Sequence, residues 1–527
     1  MEYDIIIIGS GAGGGTIARE LASAGLRILI LERGQAIPRE RENWDEDAVF
    51  ARKRYQAKET WYDKDDKPFE PYTHYCVGGN TKMYGAALLR LRTCDFGGVR
   101  HYGGESPAWP ISYADLEEYY ARAEAMYSVR GVRGADPTEP PASNEFEHGP
   151  LEPEPAIAEL SDDLSALGYR PFPIPLGVRV PHTRGTSGVR LSAFDGYPDP
   201  TQTKADAHVV GIEPALAHEN VTLLTGCMVE RLVTDGGGRR VREVVAVHEG
   251  RRTVHRAGTI ILAAGAINSA ALLLRSACAA HPAGLANSSG LVGRHYMCHQ
   301  NGLLICVRQD ENPSQFQKHF GIADFYHGAP DSAHPLGLIQ LMGKPDAGTL
   351  AWLAGLEGGA ALKGESVDSF RRRTIDYFLT AEDLPDPMNR VELRGDGAIR
   401  IVYSHNNTEA YDRLRTECER AMCAVEARRG RRRPVFLHSR LGIGGVSHQT
   451  GTLRFGSDPR SSVLDVGCRA HDLENLYVVD GSFFPSCGAV NPSLTIMANA
   501  IRVGEIIRRS LGARSGAPRH AAQGATA

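Results

Sequence analysis

Four isoleucines, Ile5 to Ile8, follow Asp4 without a polar break, and the run ends on a glycine. A short stretch of β-branched residues apolar on both faces is the mark of a strand buried inside a parallel sheet. The segment Gly9-Ser10-Gly11-Ala12-Gly13-Gly14 interrupts it, and Thr16 to Ala24 then carries a helical pattern that stops at Gly25. Arg27-Ile28-Leu29-Ile30-Leu31 is a second apolar strand, closing on Glu32. The same signature returns at Thr259 to Gly265, ahead of a helix through Arg275, and at Leu476-Tyr477-Val478-Val479, ahead of Asp480-Gly481. Between them, Val221 to Leu224 reads as a strand and Val241 to Val254 as a hairpin turning near Glu249-Gly250.

Elsewhere the pattern changes. Glu40 to Tyr75 is polar with no clear period, and Tyr113 to Tyr127 is helical with Ser112 as its expected cap. Pro and Gly crowd residues 137–200, which read as long connections rather than a core element. Residues 300–440 mix strands and helices, with a hairpin across Arg394-Gly395-Asp396-Gly397. The division expected is a discontinuous nucleotide-binding domain of residues 1–110, 200–300 and 445–511. A second domain of residues 111–199 and 301–444 interleaves with it, and the Ala/Gly/Ser-rich tail 512–527 is expected to be disordered.

Composition narrows the partners. With 527 residues, 42% hydrophobic and 23% charged, the chain has ordinary globular makeup, and its net charge of −4 argues against a nucleic-acid partner. The run Arg428-Arg429-Gly430-Arg431-Arg432-Arg433 reads as a solvated loop. No leader-like segment and no apolar stretch of the ~20 residues needed to cross a bilayer is visible. The ten cysteines form no Cys-x-x-Cys pair, so a reduced, cytoplasmic setting without a metal site is expected.

The glycine loop points to a dinucleotide. Gly9 permits the turn off the strand, Gly11 lets backbone approach a pyrophosphate, and Gly14 allows close packing of helix on sheet. Glu32, about twenty residues on, is placed to accept bonds from ribose hydroxyls and disfavours a 2′-phosphate. The fingerprint does not separate FAD from NAD; the C-terminal segment favours FAD, because Asp480-Gly481 at a strand end suits a chain returning to cover the flavin. In Asn491-Pro492, Asn is a good N-cap and Pro a good first helical residue, so a helix is expected to start there. Its dipole would favour negative charge in front of it, but Asn491 could equally be a plain cap. His448 lies on a Gly-flanked loop, where a neutral imidazole suits a general base.

At these residues the sequence resembles the glucose–methanol–choline oxidoreductases, FAD-dependent alcohol oxidases and dehydrogenases. The resemblance spans the N-terminal fingerprint, Val77-Gly78-Gly79-Asn80-Thr81, Ala264-Gly265-Ala266, His448-x-x-Gly451-Thr452, and Asp480 with Asn491-Pro492. It implies an α/β fold: a Rossmann-like FAD-binding domain on a parallel sheet, and an interleaved α+β substrate-binding domain on an antiparallel one. It also implies that FAD is held by Gly9, Gly11, Ala12, Gly14, Glu32, Arg33, Gly78, Gly79, Asn80, Thr81, Val229, Ala264, Gly265, Asp480, Gly481, Asn491, Pro492 and Ser493. His448 would take the hydroxyl proton, Asn491 would hydrogen-bond the same oxygen, and hydride would pass to flavin N5.

The segment Gly78 to Gly85 looks closer to bacterial sugar- or gluconate-dehydrogenase-like members. The resemblance therefore implies a sugar, polyol or glycoside-like alcohol as substrate, with oxygen, a quinone or another redox carrier as acceptor. A monomer or homodimer is the default expectation. Some members attach FAD covalently through a histidine; His74 and His101 are the residues to test, with free flavin expected. The alternative is a non-redox, hydroxynitrile-lyase-like reaction on the same fold.

Overall fold

The computed structural model describes residues 2–179 and 194–512. The tail expected to be disordered lies outside them from residue 513 onward. Among the described residues two large sheets organise the molecule. The first is seven-stranded. Its parallel part runs Val221–Leu224, Ile28–Leu31, Glu2–Ile8, Arg251–Leu262 and Leu476–Val478, with Ile5 opposite Ile28, Ile6 opposite Ile260 and Ile261 opposite Tyr477. The isoleucine run is buried on both faces, as its pattern requires.

The outer half of Arg251–Leu262 pairs antiparallel with Val241–His248, which pairs in turn with Cys227–Thr234. Glu249 (φ 51°) and Gly250 (φ 72°) make the left-handed two-residue turn between them. The Cys227–Thr234 strand was not among the expected elements; its mixed burial reflects a strand with one wet face.

The fingerprint helix, Ala12–Ala22, and the C-terminal helix, Ser493–Ser510, pack against one another. Close approach of the fingerprint helix to the strand ends depends on glycine. A Cβ on Gly13 would stand 2.0 Å from the Val479 carbonyl oxygen, and one on Gly14 would stand 2.0 Å from that of Gly9. The Gly13 contact ties the fingerprint turn to the end of the Leu476–Val478 strand.

The second sheet is six-stranded and antiparallel throughout, in the order Val435–Arg440, Gln300–Val307, Thr374–Ala381, Leu338–Leu341, Phe320–Ile322, Pro171–Pro173. The helices Thr408–Arg428 and Pro155–Ala166 cover one face of it. The second helix corrects the reading of residues 137–200 as connections only. Ile157, Leu160 and Leu164 recur at helical spacing and are fully buried, and Pro155 opens the helix where proline is tolerated. Ser112 also departs from its expected role: its hydroxyl donates to Asp115 at 2.7 Å and caps no backbone N–H. The hairpin at 394–397 joins Arg390–Leu393 to Ile399–Val402 as expected.

Candidate active site

A cavity of about 960 Å³ runs from the carboxyl ends of the parallel strands to the inner face of the antiparallel sheet. At the nucleotide end it is lined by Gly9, Gly11, Ala12, Glu32, Arg33 and Val229. A Cβ on Gly11 would meet nothing nearer than 4.0 Å, whereas Gly9 adopts φ 97° and has no room beside the Ala263 carbonyl. So Gly9 makes the turn and Gly11 leaves space for a ligand, a cradle that suits a pyrophosphate.

Glu32 is buried and accepts from the Ser10 amide at 3.0 Å, the Ser10 hydroxyl at 2.6 Å and the Gly34 amide at 2.8 Å. Burial raises its pKa against those bonds. Ser10, absent from the expected set, also accepts from the Gly78 amide at 3.1 Å and so joins the two glycine loops. Arg33 lies over the Tyr75 ring and pairs with Glu59 at 2.5 Å. Burial works against the Glu59 charge, but Arg33 and the Tyr75 and Trp61 donors outweigh it and hold its pKa low.

Gly79, Asn80, Thr81, Ala264, Gly265, Asp480, Gly481, Pro492 and Ser493 also line the cavity. Gly14 and Gly78 do not; they shape its wall from behind, Gly14 at the helix–strand contact and Gly78 as a left-handed turn at φ 93°. The Asp480 carboxylate accepts from the Gly265 amide (3.0 Å), the Ser269 hydroxyl and the Ser482 amide (2.9 Å), locking two strand ends together. Of the two histidines considered for flavin attachment, His74 lines the cavity and burial lowers its pKa to about 4. His101 is buried away from it, 3.0 Å from Glu382.

His448 and Asn491 meet at the far end, with Asn491 Nδ2 3.4 Å from His448 Nε2. Backbone pairing brings His448 there: Thr450 and Met297 exchange bonds of 2.9 and 3.0 Å, and the Gly451 amide donates to Gly481 at 3.1 Å. Gly451 sits at φ 90°, where a Cβ would press to 2.3 Å of the His295 carbonyl oxygen. Asn491 is no cap. The helix begins at Ser493, and the Asn491 side chain turns into the cavity, its Oδ1 accepting from Gln340 Nε2 at 2.8 Å. Burial drives the His448 pKa well below its ordinary value, and the nearby Lys318 and His299 push the same way.

His299, Asn301, Gln340 and Phe378 were not anticipated. Asn301 and Phe378 line the cavity beside His448; His299 lies 3.1 Å from its Nδ1. A signal existed for two of them: Asn301 and Gln340 are polar residues set inside strands buried along their whole length. Lys318, paired with Asp195 at 2.9 Å, lines the same end with Met342, Lys344 and Trp352.

A glycine-loop dinucleotide fold whose cavity ends at a neutral histidine–asparagine pair defines a redox enzyme that uses a bound dinucleotide. Comparison with known proteins specifies which kind. The models for the GMC oxidoreductase family match residues 112–301 and 398–500. The chain is 33% identical to 6'''-hydroxyparomomycin C oxidase of Streptomyces lividus, over 97% of this chain and 92% of that protein. It is 31% identical to paromamine 6'-oxidase of Streptomyces fradiae with the same coverage. Among solved structures, pyridoxine 4-oxidase from Mesorbium loti aligns with a TM-score of 0.67 at 18% identity, over 96% of this chain and 99% of that one.

The chain belongs to the GMC oxidoreductase family. It is an FAD-dependent oxidoreductase acting on alcohol groups. No helix among the described residues is long and apolar enough to cross a membrane.

Proposed function

We propose that this enzyme oxidises a CH–OH group of a hydroxyl-rich sugar, amino sugar or polyol, with His448 as general base and Asn491 as donor to the reacting oxygen. The supporting observation is the His448–Asn491 pair, which faces a cavity continuous with the dinucleotide cradle. FAD, when bound, supplies the acceptor for the hydride. His448 supplies the other half: a neutral imidazole takes the hydroxyl proton as the carbonyl forms. The Asn491 amide, held by Gln340, presents an N–H to the substrate oxygen next to that base. Phe378 and Leu303 on the antiparallel sheet, with Leu441 just past its edge strand, present apolar surface to the cavity, which disfavours water beside the reacting groups.

The substrate class rests on the relatives, two of which are named 6'''-hydroxyparomomycin C oxidase and paromamine 6'-oxidase. Lys318 and Lys344 lie at the same end with Asp195 and Asp346, so that end of the cavity is polar and suits a hydroxyl-rich molecule. The test is anaerobic mixing of purified protein with paromamine, simple sugars, polyols and small aliphatic alcohols. Bleaching of the flavin absorbance by one class is expected, and the rate at which air restores the colour separates oxidase from dehydrogenase. A yellow protein that no alcohol bleaches would overturn the reading and leave the lyase alternative.

A further inference from the structure

We propose that His299 is a positioning residue that holds the neutral His448 ring in the tautomer with its proton on Nδ1, so that Nε2 keeps its lone pair toward the substrate. This rests on the reading of His448 as the base. His299 Nε2 stands 3.3 Å from the Cys487 carbonyl oxygen. A carbonyl oxygen only accepts, so that nitrogen is the protonated one, and a neutral His299 then offers a lone pair at Nδ1. His299 Nδ1 and His448 Nδ1 are 3.1 Å apart. One N–H must lie between them, and it has to belong to His448.

The opposite arrangement is poorer on two counts. It would aim a His299 lone pair at the Cys487 oxygen. It would also aim a His448 Nε2–H at the Asn491 amide, whose Nδ2 is 3.4 Å away and whose Oδ1 is already taken by Gln340. One contact runs the other way: Asn301 Nδ2 lies 3.4 Å from His448 Nδ1. That contact is longer than the 3.1 Å between the two rings, and Asn301 Nδ2 also donates to the Cys298 carbonyl oxygen at 3.3 Å.

The backbone supports a dedicated role. His299 occupies φ 63°, a left-handed position that a β-carbon disfavours, immediately before the Gln300–Val307 strand. Observed strain in a non-glycine residue beside a reacting group points to a functional constraint. The two rings meet edge to face, 5.1 Å between centroids. The charged groups facing the pair are Lys318, which disfavours a cationic His448, and Glu382, which faces His299 and is engaged by His101.

When substrate gives up its proton, the O–H bond breaks, the proton joins His448 Nε2, and the ring becomes a cation. The Nδ1–H then makes a charge-assisted bond to the His299 lone pair. An imidazole does here what a carboxylate does in a Ser-His-Asp triad, without placing a full negative charge in the buried site.

The test uses holoenzyme labelled with 15N in its histidine rings, with His448 identified by the signals lost in His448→Gln. Wild type should show a protonated Nδ1 and a free Nε2. His299→Gly removes the acceptor while accepting the left-handed backbone, so the tautomer should mix or invert. His299→Asn, also at ease at positive φ, returns an acceptor oxygen and should restore the wild-type pattern. With an alcohol that bleaches the flavin, His299→Gly should lose roughly 10- to 100-fold in rate, the scale for losing a group that orients a working imidazole. His299→Asn should recover that rate. A protonated Nε2 in wild type, or an unchanged tautomer in His299→Gly, would overturn the proposal. Failure of the base assignment is a separate result: His448→Gln would then oxidise the alcohol at the wild-type rate.

Discussion

A base must be unprotonated to work, and the surroundings of His448, the proposed base, enforce that. Burial, Lys318 and His299 all lower its pKa, so the side chain is neutral across the physiological range. The activity of the enzyme on an alcohol should therefore be level from neutral pH down past 6.5 and fall only at lower pH, as kcat/KM against pH would record. A limb centred at or above 6.5 would contradict the assignment. His448→Ala should keep its FAD and its absorbance spectrum yet lose flavin reduction by roughly a hundredfold or more, measured by anaerobic stopped flow. At this scale the sequence was informative but incomplete. His448 and Asn491 could be picked out as candidates from the company they keep along the chain, and the fold brings them within 3.4 Å of one another. His299 was not, because its meaning depends on a ring 149 positions away.

Among the elements, the contact between the fingerprint helix and the last strand of the parallel sheet is the most sensitive. Gly13 lies against the Val479 carbonyl with no room for a methyl group. Gly13→Ala must push the helix off the Val479–Asp480 strand end, which also forms part of the cavity wall. The expected result is a loss of about 1–3 kcal/mol in stability, the usual scale for overpacking, together with reduced FAD content. Chemical denaturation and the ratio of flavin to protein absorbance measure the two effects. The fingerprint explained Gly9, Gly11 and Gly14 from local geometry alone. Gly13 needed the tertiary contact, since nothing near it in sequence touches it. The Pro155–Ala166 helix was missed for the opposite reason: its apolar spacing was present but masked by surrounding prolines.

Across the whole molecule, opposed titrations shape stability. Burial pushes Asp383 up to about 7, although the Cys298 amide, Tyr403 and Gln300 donate to it. A folded-state pKa above the unfolded value near 3.9 means that its contribution is full below about pH 4 and is lost as pH rises through 7. His74, lowered to about 4, works in the reverse sense: its contribution is full above about pH 6.5 and is lost as pH falls toward 4. Asp383→Asn should therefore remove a descending component. Relative to the variant, wild type should lose a few kcal/mol between pH 4 and 7.5 in denaturant titrations, and a flat difference would refute the assignment.

The sequence by itself determined the strand–glycine–helix–strand unit and the class of cofactor it serves. Each of those is a local consequence: β-branched runs bury, and glycines free the backbone. The meeting of the two sheets around one cavity belongs to tertiary structure alone. So does the turning of Asn491 away from its helix, because the bond from Gln340 comes from a distant strand. The tautomer of His448 is decided the same way, by a partner whose ring nitrogen is fixed by the Cys487 carbonyl oxygen. A hydrogen bond between residues far apart in the chain leaves no spacing or periodicity to read.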